Sequence, residues 1–329
     1  MNTRERVQAV LHFEKPDRLP VVEWASWWSQ TVERWESEGL PKGMNHFERQ
    51  EYFGLDLLVQ QWFGPRSPNL PRPACHGAPI LSTLEEYEAF RRSGCIHNLD
   101  NISFDWFERY RAKHDAGEAA FWFTLEGFFW FPRTLLGIEP HLLAFYDQPE
   151  LLHKMNQDQV DFSLRLLERL FKKFRPEFMT FAEDLSYNHG PMLSREFFDE
   201  FLAPYYRQLL PILKENNVTV LVDSDGDISD CLGWFQDAGL EGILPLERMA
   251  GVDVSALRQR YPKQVFVGGF DKTVMHLGEA ALRKEFERVL PTALHGGYMI
   301  SCDHQTPPAV SLNDYRLYLN LFREYAALV

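Results

Sequence analysis

The chain has 329 residues, 45% hydrophobic and 25% charged, and 34 Lys+Arg against 47 Asp+Glu give a formal charge of −13. That apolar content is enough to bury a core, which excludes disorder as the dominant state. The acidic balance lacks the positive footprint that phosphates require, so a nucleic-acid binder is excluded, and a substrate with many carboxylates is disfavoured.

Four widely spaced cysteines (Cys75, Cys95, Cys231, Cys302) form no CxxC pair. They fit a reducing, cytoplasmic setting better than a disulfide framework. The charged N-terminus has no apolar signal core, and no stretch has the length of a membrane span. No linker or repeat divides the sequence, so a single domain over 1–329 is expected.

The first half is aromatic: EWASWW (23–28), QQWFGP (60–65) and FWFTLEGFFWFP (121–132). Such runs pack a core or line a pocket, and Trp27 and Trp62 are candidate substrate contacts. The N-terminal aromatics suit a homodimer face and a core equally. Glu126 sits inside the third run and Arg133 directly after it, where a charge is expensive unless it is paired or faces a cleft.

From residue 140 the pattern alternates. Apolar spacing predicts a helix over 147–174, closed by Pro176. A short buried strand is expected over 177–184. Ser194 then caps a helix that kinks near Pro204. Strands are expected at 218–227, 240–247, 265–271 and 296–304. Helices are expected near 228–238, 253–260, 279–294 and 311–326, the last capped by Ser311. Strands alternating with helices imply βα units and a parallel sheet.

Each of these strands runs into polar residues: Glu183 and Asp184, Asp223 and Asp225, Glu247, Asp271, then Cys302, Asp303 and His304. In a closed parallel barrel such ends converge on one mouth, where barrel enzymes hold their sites. Helix capping is the competing role for each residue singly. Asp223 and Asp225 are two apart, as are Cys302 and His304, so each pair is expected on one side of its strand. The four together are candidate ligands for zinc or another divalent metal. DSDGD does not continue as a calcium loop, because Ile228 and Trp234 stand where Gly and Glu are needed. Glu183, Asp184, Glu247 and His189 are candidate acid–base or orienting groups, and Asp271 a candidate substrate contact. Gly268–Gly269 allows close backbone approach, either to a ligand or to the barrel rim.

Several segments together resemble the uroporphyrinogen decarboxylase superfamily. They are RERVQAVLHFEKPDRLPV, FAEDLSYNHGPMLSREFFDEFLAPYYRQLL, VFVGGFDK and HGGYMISCDHQTPPAVSLNDYRLYLNLFREY. The resemblance implies a (β/α)8 TIM-type barrel with additional N-terminal helices and a site at its C-terminal mouth. True decarboxylases of this kind resemble one another in an arginine-rich segment after the first strand. Here EWASWWSQ stands in its place, with no arginine between Arg18 and Arg34, and GLDLLVQQWFGP keeps Asp56 but has Gln60, Gln61, Trp62 and Phe63 where a second aspartate is sought. The methyltransferase branch resembles a His-x-Cys plus Cys zinc pattern, whose matching positions here are Asp223, Asp225 and Cys302. The resemblance thus implies methyl transfer between a small substrate and a corrinoid, carried on a partner protein because no DxHxxG-like module is visible. A metal-free decarboxylase and a non-catalytic ligand-binding barrel are the alternatives.

Overall fold

The computed structural model describes residues 1–328. Seven strands make one curled, all-parallel sheet. They are β1 (Leu57–Phe63), β2 (Ala119–Glu126), β3 (Phe178–Ala182), β6 (Thr219–Asp223), β7 (Gly242–Leu244), β8 (Val265–Phe270) and β9 (Tyr298–Cys302). The small antiparallel hairpin β4 (Ser186–Tyr187) and β5 (Gly190–Pro191) interrupts the numbering and stands apart from the sheet.

The eighth position of the barrel is held by the irregular segment 20–24, which bonds to both edges. On the β1 side, Asp56 N–H donates to the Val21 carbonyl at 2.8 Å, and the Asp56 carboxylate accepts from Val21 N–H at 2.8 Å. On the β9 side, Trp24 N–H donates to Ser301 Oγ at 3.2 Å and its indole donates to the Cys302 carbonyl at 2.9 Å. The fold is therefore a TIM-type barrel in which side chains close the last seam. Unsatisfied backbone at a sheet edge makes such closure necessary.

Strand alternation divides the apolar residues into two sets. Leu58, Ala120, Trp122, Phe178, Leu221, Leu244, Val265, Val267 and Met299 meet in one cluster with Val22 and with Val7, Val10 and Leu11 of the helix Thr3–Leu11. This cluster is the barrel floor, plugged from below by that helix. The other strand faces, among them Val59, Phe121, Phe123, Phe181, Val222 and Phe266, pack on the outer helices. Above the floor lies a polar layer, in which Gln60 Nε2 donates to Thr124 Oγ1 and Thr124 Oγ1 shares a hydrogen bond with Thr180 Oγ1, each at 2.8 Å.

The second half follows its sequence pattern closely. Helices form at Pro149–Phe171, Leu232–Ala238, Val254–Arg260, Glu279–Ala293 and Leu312–Ala326. Ser194 caps the helix Arg195–Phe201, which restarts as Ala203–Glu215, and Ser311 caps the last helix in a capping box with Asp314. Two of the aromatic runs of the first half overlap β1 and β2, and β2 is buried on every residue, which accounts for its lack of alternation. Gly268 (φ +101°) packs its backbone on Pro245, and a Cβ there would lie 2.1 Å from the Pro245 carbonyl oxygen, so this glycine serves rim packing.

Candidate active site

The C-terminal strand ends bring together Asp184, Asp225, Glu247, Lys272 and His304. Asp184 follows β3 and adopts φ +44°, an uncommon conformation for a non-glycine residue and one concentrated at functional sites. Its Oδ1 accepts from Asp225 N–H at 3.4 Å, and its carbonyl accepts from Arg133 Nη1 at 2.7 Å. Glu247 accepts from Gly226 N–H at 3.1 Å and from Lys272 Nζ at 3.5 Å. His304 Nε2 lies 3.6 Å from Asp225 Oδ2. Asp303, fully buried, accepts from the N–H groups of Arg248 and Lys272 at 2.9 and 3.2 Å, and so fixes both loops and the lysine.

Asp225, Glu247, Lys272 and His304 line an open cavity of about 380 Å³, together with Trp28, Gln30, Met249 and Gln305. Burial and the neighbouring Asp184 and Glu247 push the Asp225 carboxyl up to about 7, against an opposing pull from Lys272. Burial likewise raises Asp184, and raises Asp223 well above the usual carboxylate range with help from Asp184 and Asp225. His304 is lowered, first by burial and then by Lys272.

The other expected residues divide in two. Asp223 ends β6 beside this cluster, and Trp62, next to last in β1, is 44% exposed. Glu126, at the end of β2, is buried and paired with Arg66, and its second oxygen has no partner. Glu183, by contrast, is fully buried away from the cavity. Its carboxylate accepts from the N–H groups of Phe128, Phe129 and Trp130 and from the Tyr206 hydroxyl. It holds the turn that opens the helix Trp130–Leu136, which is the capping role rather than acid–base work. Asp271 likewise caps a short turn, accepting from Thr273 N–H at 2.8 Å. Trp27 is buried against Trp35, Phe53 and Tyr315, with His46 beside it, in the N-terminal helical layer, so it contacts core and not cavity. His189 is exposed on the β4–β5 turn, edge-on to Tyr187.

Cys302 also stands outside the cluster. Its strand ends at that residue, so the two-residue alternation does not carry through to His304. The thiol points into the outer layer, 3.7 Å from Met275 Sδ, among apolar neighbours. Burial, with Glu23 and Asp303 nearby, pushes it well above the normal thiol range, the opposite of what a thiolate ligand needs. Among the described residues no three His, Cys, Asp or Glu side chains meet in a metal-holding group. The set Asp223, Asp225, Cys302 and His304 does not fit a zinc–thiolate centre.

Asp303, one of the polar strand ends, completes the site together with Lys272, to which spacing alone gave no role. Lys272 is the cation that follows the glycine pair in VFVGGFDK, and an ammonium is the obvious complement to converging acids.

Residues 134–325 match the family model of uroporphyrinogen decarboxylase (URO-D). The chain belongs to this family. No curated protein matches it. Among solved structures, a methyltransferase from Methanosarcina mazei shares the fold with a TM-score of 0.67, at 13% identity over 99% of each chain. A putative vitamin-B12-independent methionine synthase from Listeria monocytogenes gives a TM-score of 0.45, at 11% identity over 95% of this chain and 98% of that one. The lineage and the barrel mouth together mark an enzyme of the URO-D superfamily, and no helix among the described residues is long and apolar enough to cross a membrane.

Proposed function

We propose that the mouth performs methyl transfer between a small substrate and a corrinoid carrier, with Asp225 handling the substrate proton. The observation that carries this reading is the composition of the cavity. Its lining holds Asp225 and Glu247 with a single lysine and His304, and no arginine. Such a lining repels a polycarboxylate and accepts a neutral or cationic group. This favours methyl transfer over decarboxylation of a tetrapyrrole bearing many acids. A barrel of the same shape belongs to a methyltransferase in Methanosarcina mazei. The rim exposes Trp28 and Met249, apolar surface suited to a flat macrocycle delivered by a partner protein.

A corrinoid brought by the partner would supply the methyl group and keep the electron pair of the broken methyl–cobalt bond, while the substrate heteroatom that takes the methyl would lose its proton to Asp225. A carboxyl near 7 is matched to that task, because it takes the proton and gives it up again at neutral pH. His304, 3.6 Å away, passes the proton outward. Lys272 keeps the acids together and Asp184 orients Asp225 through its backbone N–H. No step passes through a metal.

The test is incubation with methylcobalamin and a panel of small thiols and amines, following loss of the methyl–cobalt absorbance. Turnover with at least one acceptor is expected, with kcat/KM rising as pH climbs through about 7. Asp225→Asn should lower it by about 10²- to 10⁴-fold and abolish that limb. No methyl loss with any acceptor, together with carbon dioxide release from uroporphyrinogen, would reverse the assignment in favour of decarboxylation.

A further inference from the structure

Beside the acidic mouth lies a cleft of opposite character. It measures about 250 Å³ and is lined by Arg66, His76, Trp130 and Arg133, with Ile80 and Ile138 among its apolar walls. No aspartate or glutamate lines it, in a chain of net charge −13. Arg66 spends one guanidinium nitrogen on the buried Glu126. Arg133 has no carboxylate within ion-pair distance among the described residues. Its bond goes to the Asp184 carbonyl, and its guanidinium stacks 5.0 Å from the centre of the Trp130 ring. Both arginines retain N–H donors, and the indole N–H of Trp130 has no partner among the described residues.

We infer that this cleft is a binding subsite for a carboxylate or phosphate group attached to an apolar body. Guanidinium pairs recognise such anions through paired N–H donors. The isoleucines and the Trp130 ring supply the contact for the apolar part. The cleft adjoins the mouth through one residue. Arg133 holds the Asp184 carbonyl, and the Asp184 side chain holds Asp225. An anion docked on Arg133 is therefore anchored one residue from the proposed proton acceptor. The inference rests on the methyl-transfer reading only in assigning this anion to the substrate. The substrate class is then a small apolar anion, held by its charge in one subsite while its neutral heteroatom enters the other.

Calorimetric titration of the full chain with phenyl phosphate, benzoate and neutral benzamide tests this. One equivalent of phenyl phosphate or benzoate should bind while benzamide does not, and the tighter of the two identifies the anion class. Arg133→Gln should weaken binding about tenfold or more, and Arg133→Lys should restore part of it. On the wild-type protein, phenylglyoxal labelling read by mass spectrometry should show Arg66 and Arg133 protected by the bound anion, a readout that needs no variant. Equal binding of benzamide, failure of both anions, or unprotected arginines would overturn the inference. Binding is read without turnover. A failed cleft with an intact Asp225 pH limb removes only this subsite, whereas a bound anion without methyl transfer removes only the reaction.

Discussion

At the scale of single residues, the mouth depends on one cation. Lys272 Nζ lies 3.5 Å from Glu247 and 3.6 Å from Asp303, and it pulls the Asp225 carboxyl down against burial and the neighbouring acids. Replacing it with methionine keeps the stem and removes the charge. The Asp225 carboxyl should then rise further above about 7, and the rising limb of the pH–rate profile should move to higher pH, with little change on its plateau. A limb that stays in place in Lys272→Met would show that Lys272 does not reach the proton acceptor. Residue type and strand position made Asp184, Asp225, Glu247 and His304 legible in the sequence. They did not reveal direction. Glu183 and Asp184 are adjacent, yet one satisfies the N–H groups of the 128–130 turn and the other enters the mouth. Cys302 failed as a ligand for the same reason, because its strand ends there and its thiol turns outward.

At the scale of elements, the seam between segment 20–24 and β9 was invisible in the sequence. EWASWW reads as an aromatic run, and nothing in it announces that Glu23 is the latch. The Glu23 carboxylate accepts from Ser301 Oγ at 2.7 Å and Cys302 N–H at 3.1 Å, with the Tyr315 hydroxyl at 3.4 Å. Burial raises its carboxyl to about 7, although each of these bonds opposes the rise. The unfolded chain releases that proton near the ordinary glutamate value, so from about pH 4.5 to 7 the folded state holds the extra proton. Stability from this group is complete below that window and is lost as pH rises through about 7. The difference is on the order of 3 kcal/mol. Glu23→Gln keeps the shape and the acceptor carbonyl while removing the titration. Urea midpoints measured from pH 5 to 8 should fall for wild type and fall less for the variant. Equal slopes in the two proteins would place the pH dependence elsewhere, with the buried Glu183, also near 7, the next group to test.

At the scale of the whole molecule, the barrel keeps its chemistry at one end by sealing the other. The helix Thr3–Leu11 presses Val7, Val10 and Leu11 into the floor against residues from all seven barrel strands and from segment 20–24. It is tied down at its polar side, where Arg6 pairs with Asp56 at 2.8 Å and Asp17 at 2.8 Å, and Asp56 also pairs with Arg18 at 2.6 Å. This explains why Asp56, placed just before β1, acts in the rim of the floor and far from the mouth. The N-terminal helix is therefore part of the barrel core, although it precedes the first βα unit in sequence. Val7 is fully buried, so Val7→Ala leaves a small cavity and should cost about 1–2 kcal/mol. Val10→Asp places a carboxylate in an apolar floor and should cost more than about 3 kcal/mol. Both losses should appear as earlier denaturation midpoints by far-UV circular dichroism. Because the floor and the mouth are separated by the Gln60–Thr124–Thr180 layer, Val7→Ala should leave the pH limb of the reaction unmoved. A shift of that limb in Val7→Ala would mean that the two ends of the barrel are coupled, and that the polar layer transmits packing changes to the acids above it.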